Sequence, residues 1–403
     1  MENIFIARQP IFNAQLNVFA YELLFRSDQN NAANVLDGES ATTNVIINAL
    51  TEIGMDQLVG PHLAFINLTR SHLITLSELP LDEIKDKLVL EILEDIQAED
   101  VVVKAVTKLS KDGFTIALDD FIYHEKLQPL VELSDIIKID LMALTARELE
   151  EQVKILANGK RKLLAEKVET QEEFDRCKTL GFDFFQGYFF SKPNIVSGHS
   201  LPANKLAIIK LLAKFQETES SAEELASIIT QDVTLSLRIL RYINSAQFGL
   251  GKKVNSIQQA IMMLGRNTIR NLANLVAMSQ IENKPHELLI ISMTRAKMAE
   301  NLARQHKADK ETCFTMGLFS VIDSLMDQDM QTLMNNLPLA DEIKNALLHY
   351  KGKAGTILQC VLAYESGDWE NSVFEDYDIN ECRDSYLDAL NWASASEFLL
   401  KTT

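Results

Sequence analysis

The sequence predicts an α/β TIM-like barrel over its first half and an all-α domain over its second. Three observations carry that reading: short apolar runs recur between residues 4 and 185, most of them end in a charged or amide side chain, and near Lys205 the apolar period becomes helical. Short runs rich in β-branched residues read as buried parallel strands, and a barrel gathers the C-terminal ends of its strands on one face.

The runs are residues 4–7, 18–25, 63–68, 88–93, 115–118, 136–139, 163–165 and 182–185. Between most of them lie stretches with helical spacing, such as 43–53 and 98–111, the second stopped by Gly113. Strands alternating with helices at this rate are the pattern of a (β/α) barrel.

The run ends supply the candidate chemistry. The second run carries Glu22 and Arg26, the third Asn67, the fourth Glu91 and Glu94, the fifth Asp119 and Asp120, the sixth Lys138, the seventh Glu166 and Glu169, and the eighth Gln186. A ring of carboxylates with one amide is a hard-oxygen environment suited to Mg²⁺ or Mn²⁺, and without cations such carboxylates repel one another. Two ions about 4 Å apart activate water and clamp a phosphodiester for in-line attack. Taken singly, each residue also reads as solvated or salt-bridged: Arg26 pairs with a carboxylate, Lys138 neutralises Asp140. Repetition over successive strand ends is what favours a site.

At 403 residues the chain is long enough for two domains. No stretch reaches the roughly 20 apolar residues that cross a bilayer, and the first ten residues carry Glu2 and no basic leader, so a cytoplasmic protein is expected. The net charge of −18 is concentrated early: residues 1–200 hold 19 Lys and Arg against 32 Asp and Glu, residues 201–403 hold 20 against 25. This balance argues against a duplex-binding surface, although an acidic site binds an anionic substrate once metal ions neutralise it. Cys177, Cys313, Cys360 and Cys382 are widely spaced and read as free thiols.

In order, the segments E-L-L-F-R (22–26), F-I-N-L (65–68), E-I-L-E (91–94), D-D-F (119–121), K-I-D (138–140), A-E-K-V-E-T (165–170) and Q-G-Y-F-F-S-K-P (186–193) resemble the EAL domain. The resemblance covers about residues 1–193 and implies a barrel phosphodiesterase that opens cyclic di-GMP to pGpG with Mg²⁺ or Mn²⁺. It implies Glu22, Asn67, Glu91, Asp119 and Asp120 as metal ligands and Glu166 as general base or second-metal ligand. By the same likeness Lys138 holds the attacking water and stabilises phosphate charge, Arg26 binds substrate phosphate, Glu169 and Gln186 support the site, and Glu94 anchors the loop after the fifth strand.

The chain departs from the family in three places. Leu23 replaces the middle alanine of the signature triplet, residues 122–127 rewrite the loop that in the family positions metals and helps the domain dimerise, and Lys167 replaces a glycine. Lys167 either crowds the site or places a cation beside it. These departures leave a second reading, a barrel that senses cyclic di-GMP or acts as a scaffold without hydrolysing it; a homodimer is a possible arrangement.

Residues 194–204 read as a linker, with Pro, Gly, Ser and Asn and no sustained period, and His199 as an exposed residue within it. Beyond it, helices are expected at 221–229, 235–244, 256–264, 268–279, 288–305, 311–326 and 340–350. The stretch 232–249, then 254–265 and 270–273, resembles an HDOD domain, here over 205–395. That likeness implies a helical relative of the HD phosphohydrolases that lacks their metal site and engages a protein partner. Where a hydrolytic relative places His-Asp, this chain has Ser320 and Val321, so no hydrolysis is expected there. Arg238, Arg241, Lys252 and Lys253 read as a solvated helix face or a basic patch, Met262, Met263, Met293 and Met298 as core filler in preference to an adaptable partner surface, and the acidic stretch 365–384 as a surface helix or loop in preference to a docking segment.

Overall fold

A computed structural model describes residues 4–27, 53–78, 85–157, 160–192, 203–216, 221–245, 250, 253–281, 284–369, 372 and 378–401. The expected helix at 43–53 lies almost wholly outside these residues, as do most of the linker with His199, Lys252 and the aromatic residues Phe374 and Tyr377. The chain falls into two compact units, Met1–Phe189 with Glu365–Gly367, and Phe190–Tyr364 with Asp368–Thr403.

The first unit is a closed barrel of eight strands in sequence order: β1 (Ile4–Asn13), β2 (Val18–Ser27), β3 (Leu63–Leu68), β4 (Leu88–Ile92), β5 (Thr115–Leu118), β6 (Ile136–Asp140), β7 (Lys162–Glu166) and β8 (Phe184–Phe185). From β2 to β8 neighbouring strands are parallel, but β1 runs antiparallel to both β2 and β8. The reversal follows from a tight turn. The Asn13 side chain accepts hydrogen bonds from the backbone N–H groups of Gln15 (3.0 Å) and Asn17 (3.1 Å), and Leu16 takes a left-handed φ of 60°. A sequence reading that treats every apolar run as a parallel strand misses this.

Side-chain alternation builds the interior. Ile11, Ala20, Phe65, Val89, Ala117, Ile136 and Leu164 form one buried cluster, with Phe19, Leu63 and Phe184 packed against it. Outside, Asp100–Lys111, Ala146–Leu156 and Gln171–Leu180 bury one apolar stripe each, among it Val102 and Leu109, Leu149 and Val153, and Phe174. The last two begin in capping boxes, Thr145 with Glu148 and Thr170 with Glu173, which satisfy N–H groups otherwise left open at a helix start.

Every regular element among the described residues of the second unit is a helix. Expected helices recur as Ala222–Thr230, Val233–Ile243, Ile257–Leu264, Arg266–Met278, Glu287–Gln305 and Asp341–His349. The helix expected at 311–326 is two, Lys310–Phe319 and Ile322–Met326. Between them the Ser320 hydroxyl donates to the Gly317 carbonyl at 2.7 Å, and the Ser320 backbone N–H bonds the same oxygen, tightening the turn and ending the helix. Helices Met330–Asn336, Gly352–Glu365 and Ile379–Lys401 are further elements that periodicity did not single out.

Two of the four methionines depart from expectation. Met293 and Met298 are buried, whereas Met262 is 80% and Met263 46% exposed, so these two fill no core. Arg241 and Lys253 are exposed and Arg238 is half-buried. All four cysteines are buried thiols, and folding brings Cys360 beside Cys382, with 3.2 Å between the sulfurs. No described helix is long and apolar enough to cross a membrane.

Candidate active site

One structural rule places the site. On each of the strands β2 to β8 a polar side chain stands two residues past an apolar residue of the interior layer: Glu22 after Ala20, Asn67 after Phe65, Glu91 after Val89, Asp119 after Ala117, Lys138 after Ile136, Glu166 after Leu164 and Gln186 after Phe184. A strand period of two sends both members of each pair to the same face, so an apolar layer lies beneath a polar one at the barrel's C-terminal mouth.

Lys138 is the hub. It is fully buried, and its Nζ lies 2.6 Å from Glu91, 2.7 Å from Asp119, 2.9 Å from Glu166 and 3.3 Å from Glu22. It therefore does not neutralise Asp140, which belongs to Lys167 instead. Glu22 is clamped by two amides, with Asn67 Nδ2 donating to Oε1 and Gln186 Nε2 to Oε2, both at 2.8 Å. Gln186 also reaches Gln9 Oε1 at 3.4 Å. Gln9 is a site residue that sequence reasoning missed. Because β1 runs backwards, its contribution precedes its core residue Ile11, and only the register with Glu22 reveals it.

Gln186 owes its place to Gly187. There φ is 147° and a Cβ would stand 2.2 Å from the Val168 carbonyl, so only glycine lets the chain pass this close to the segment after β7. The rewritten loop after β5 is moored from several sides. Asp119 N–H bonds Ile92 O and Phe121 N–H bonds Lys138 O, each at 2.9 Å, and the Tyr123 N–H bonds Gln152 Oε1 at 2.9 Å. Gln152 lies on the helix Ala146–Leu156 and was not foreseen.

The electrostatics follow from burial. Burial works against ionisation of Glu22, yet Lys138 and the Gln186 and Asn67 amides bring its pKa below the ordinary value. Burial pushes Glu91 well above the usual carboxylate range, Asp119 up, and Glu166 up to about 8, with Lys138 pulling each the other way. Burial also disfavours the Lys138 ammonium, but Glu91, Glu22, Glu166 and Asp119 outweigh it and hold its pKa well above normal.

The donor set fits a hard divalent cation. One oxygen each of Asp119, Asp120 and Glu166 lie within 4.8 Å of one another, the one such grouping among the described residues. Buried oxygens Oε2 of Glu91 and Glu166, Oδ1 of Asp120 and Asn67, and Oε1 of Gln186 accept no hydrogen bond. Four carboxylates face one buried ammonium and Asp120 stands beside them, a crowding of acidic oxygens that cations with oxygen coordination would relieve.

Three expected site residues stand apart from the hub. Arg26 is half-buried on the same face of β2, four residues beyond Glu22. Glu94 and Glu169 are exposed, and the loop after β5 is moored by the bonds just given. The Glu169 backbone N–H donates to Glu173 at 2.8 Å, at the entry to the next helix.

Residues 2–193 match the EAL domain family and residues 201–338 the HDOD domain family. Over its full length the chain is similar to an uncharacterized protein, YuxH, of Bacillus subtilis, 36% identical over 96% of this chain and 98% of the relative. It is also similar to the cyclic di-GMP phosphodiesterase CdgJ of Vibrio cholerae, 34% identical over 98% of this chain and 93% of the relative. Among solved structures, the EAL-domain protein YkuI of Bacillus subtilis, in complex with cyclic di-GMP and calcium, is 21% identical over 57% of this chain and 72% of that one, with a TM-score of 0.39.

Proposed function

The chain belongs to the family in which an EAL domain is followed by an HDOD domain, and from that premise we propose that it hydrolyses cyclic di-GMP to linear pGpG. The observation that carries the proposal is the polar layer centred on Lys138 at the mouth of the barrel. The helical domain, whose described residues gather no cluster of metal-binding side chains, serves in this reading as a partner-binding module of a cytoplasmic signalling protein.

Asp119, Asp120 and Glu166 would hold Mg²⁺ or Mn²⁺, with Glu22, Glu91 and Asn67 as further ligands. When bound, such ions lower the pKa of a coordinated water and offset phosphate charge. Glu166 serves either as a ligand of the second ion or, once cations beside it favour its carboxylate form, as the base that takes the proton of the attacking water. Lys138 orients that water and donates to the phosphate oxygens as charge builds on them. Arg26 binds the second phosphate of the ring, and Asn67 and Gln186 keep Glu22 in one rotamer. The water oxygen joins one phosphorus as its proton departs, the P–O3′ bond breaks, and the 3′ oxygen takes up a proton from solvent to leave as a hydroxyl. Glu94 and Glu169 support the loops without touching the reacting atoms.

Chromatography of cyclic di-GMP incubated with the protein and Mn²⁺ tests this. Wild type should yield pGpG, and Glu166→Gln should slow it by about 10²–10⁴-fold, the usual effect of removing a general base. No product at enzyme excess, with nucleotide binding still seen by calorimetry, would overturn the hydrolytic reading in favour of a sensor.

A further inference from the structure

We propose that Lys167 is an internal competitor for the divalent-ion position: its ammonium occupies Asp120 and so raises the cation concentration at which the site fills. This rests on the metal-site reading above and extends it to a residue that reading does not use.

The placement begins with strand register. β6 and β7 pair in parallel with Asp140 opposite Glu166, so Lys167 is the next residue beyond that rung, at the rim beside Asp140. Asp140 is a fixed post, because its Oδ1 accepts the Met142 backbone N–H at 2.7 Å. Its Oδ2 receives Lys167 Nζ at 2.5 Å, and the same ammonium lies 3.3 Å from Asp120 Oδ2. The second oxygen of Asp120 accepts no hydrogen bond, and Asp120 is one of the three carboxylates whose oxygens converge within 4.8 Å. Lys167 thus spans from an anchored carboxylate outside the cluster to one inside it.

The backbone argues that this is more than a stray surface pair. Lys167 has φ 54° and Asp120 φ 40°, left-handed conformations that side chains with a Cβ adopt only at a cost. A glycine would sit at 167 without that strain. The position instead holds a side chain whose single polar group is delivered to a candidate ligand.

The consequence is electrostatic. A divalent ion drawn to Asp119, Asp120 and Glu166 and the ammonium on Asp120 are like charges a few ångströms apart, so each weakens the other's hold. Lys167 is 49% exposed, and water and salt screen the effect without cancelling it. About tenfold in ion affinity is the size expected for one unit charge interacting with a divalent ion at that range under partial screening.

The test is calorimetric titration of the full chain with Mn²⁺ alone, without nucleotide. Lys167→Met removes the charge and keeps the strained backbone, Lys167→Gly removes both, and Lys167→Arg keeps the charge. Lys162→Met deletes a lysine at the other end of β7, where it pairs with Asp183, as a control for net charge. Asp119→Asn identifies the site. The expected result is Mn²⁺ binding about tenfold tighter in Lys167→Met and Lys167→Gly, little changed in Lys167→Arg and Lys162→Met, and lost in Asp119→Asn. Binding that is lost in Asp119→Asn yet equal or weaker in Lys167→Met would overturn this proposal alone. No Mn²⁺ binding in any variant, or binding indifferent to Asp119→Asn, would overturn the metal-site reading and this proposal with it.

Discussion

Replacing Lys138 by methionine should cost the barrel much of its stability in the absence of divalent ions. The side chain is 1% exposed, and four carboxylates stand between 2.6 and 3.3 Å from its ammonium. Methionine has nearly the same volume, so the loss is one of charge rather than packing. Simple Coulomb attraction at an effective dielectric of 20 would give roughly 5 kcal/mol per close pair, but desolvation and proton uptake by the abandoned carboxylates return most of it. Breaking a buried ion pair from one side costs about 3–5 kcal/mol. For a barrel of this size that corresponds to a fall in melting temperature of roughly 6–20 °C. Thermal unfolding followed by circular dichroism in EDTA is the assay, with Lys138→Arg as the charge-conserving comparison. Adding millimolar Mn²⁺ should recover part of the loss, because the ion covers charge that the lysine no longer does. A Lys138→Met protein that melts in EDTA within a degree of wild type would refute the reasoning, since the ring would then be stable without its central cation.

Two further changes probe the scaffold. In the helical unit, a Cβ at Gly317 would meet the Arg295 carbonyl oxygen at 2.6 Å and Ala296 Cα at 2.7 Å, so Gly317→Ala should destabilise that unit by about 1–3 kcal/mol. Urea unfolding read from its own tryptophans should show a lower midpoint, while Mn²⁺ binding at the barrel stays as it was; an unchanged midpoint would count against the close helix approach. At the loop after β5, Gln152→Ala removes the acceptor for the Tyr123 N–H at a cost of about 1 kcal/mol. Hydrogen exchange at Tyr123 should quicken with little change in global stability, and an exchange rate equal to wild type would mean that the bond does not moor the loop.

Much of the barrel was legible because its strands are local objects. Residues 115–118 are apolar and short whatever the rest of the chain does, and Asp119 follows them by covalent necessity. The same holds for Glu166 and Gln186, at and just beyond the ends of β7 and β8, and for Asn67 and Glu91, one residue before the ends of β3 and β4, whereas Glu22 and Lys138 stand mid-strand. In the helical half, Met293 and Met262 are alike as residues, but one is buried and the other 80% exposed, because helical spacing alone does not say which face meets a neighbour.

The amino-acid order by itself determined which side chains end each strand and where strand periodicity yields to helical periodicity, since both depend on residues adjacent along the chain. Tertiary structure decided what depends on pairing between distant segments. The reversal of β1 brings Gln9 level with Glu22, and closure of the barrel sets Lys138 among four carboxylates rather than beside its near neighbour Asp140. The β6–β7 register hands Asp140 to Lys167 instead. Electrostatic partners are chosen by distance in space, and a closed sheet makes neighbours of residues more than a hundred positions apart, as Lys138 and Glu22 are.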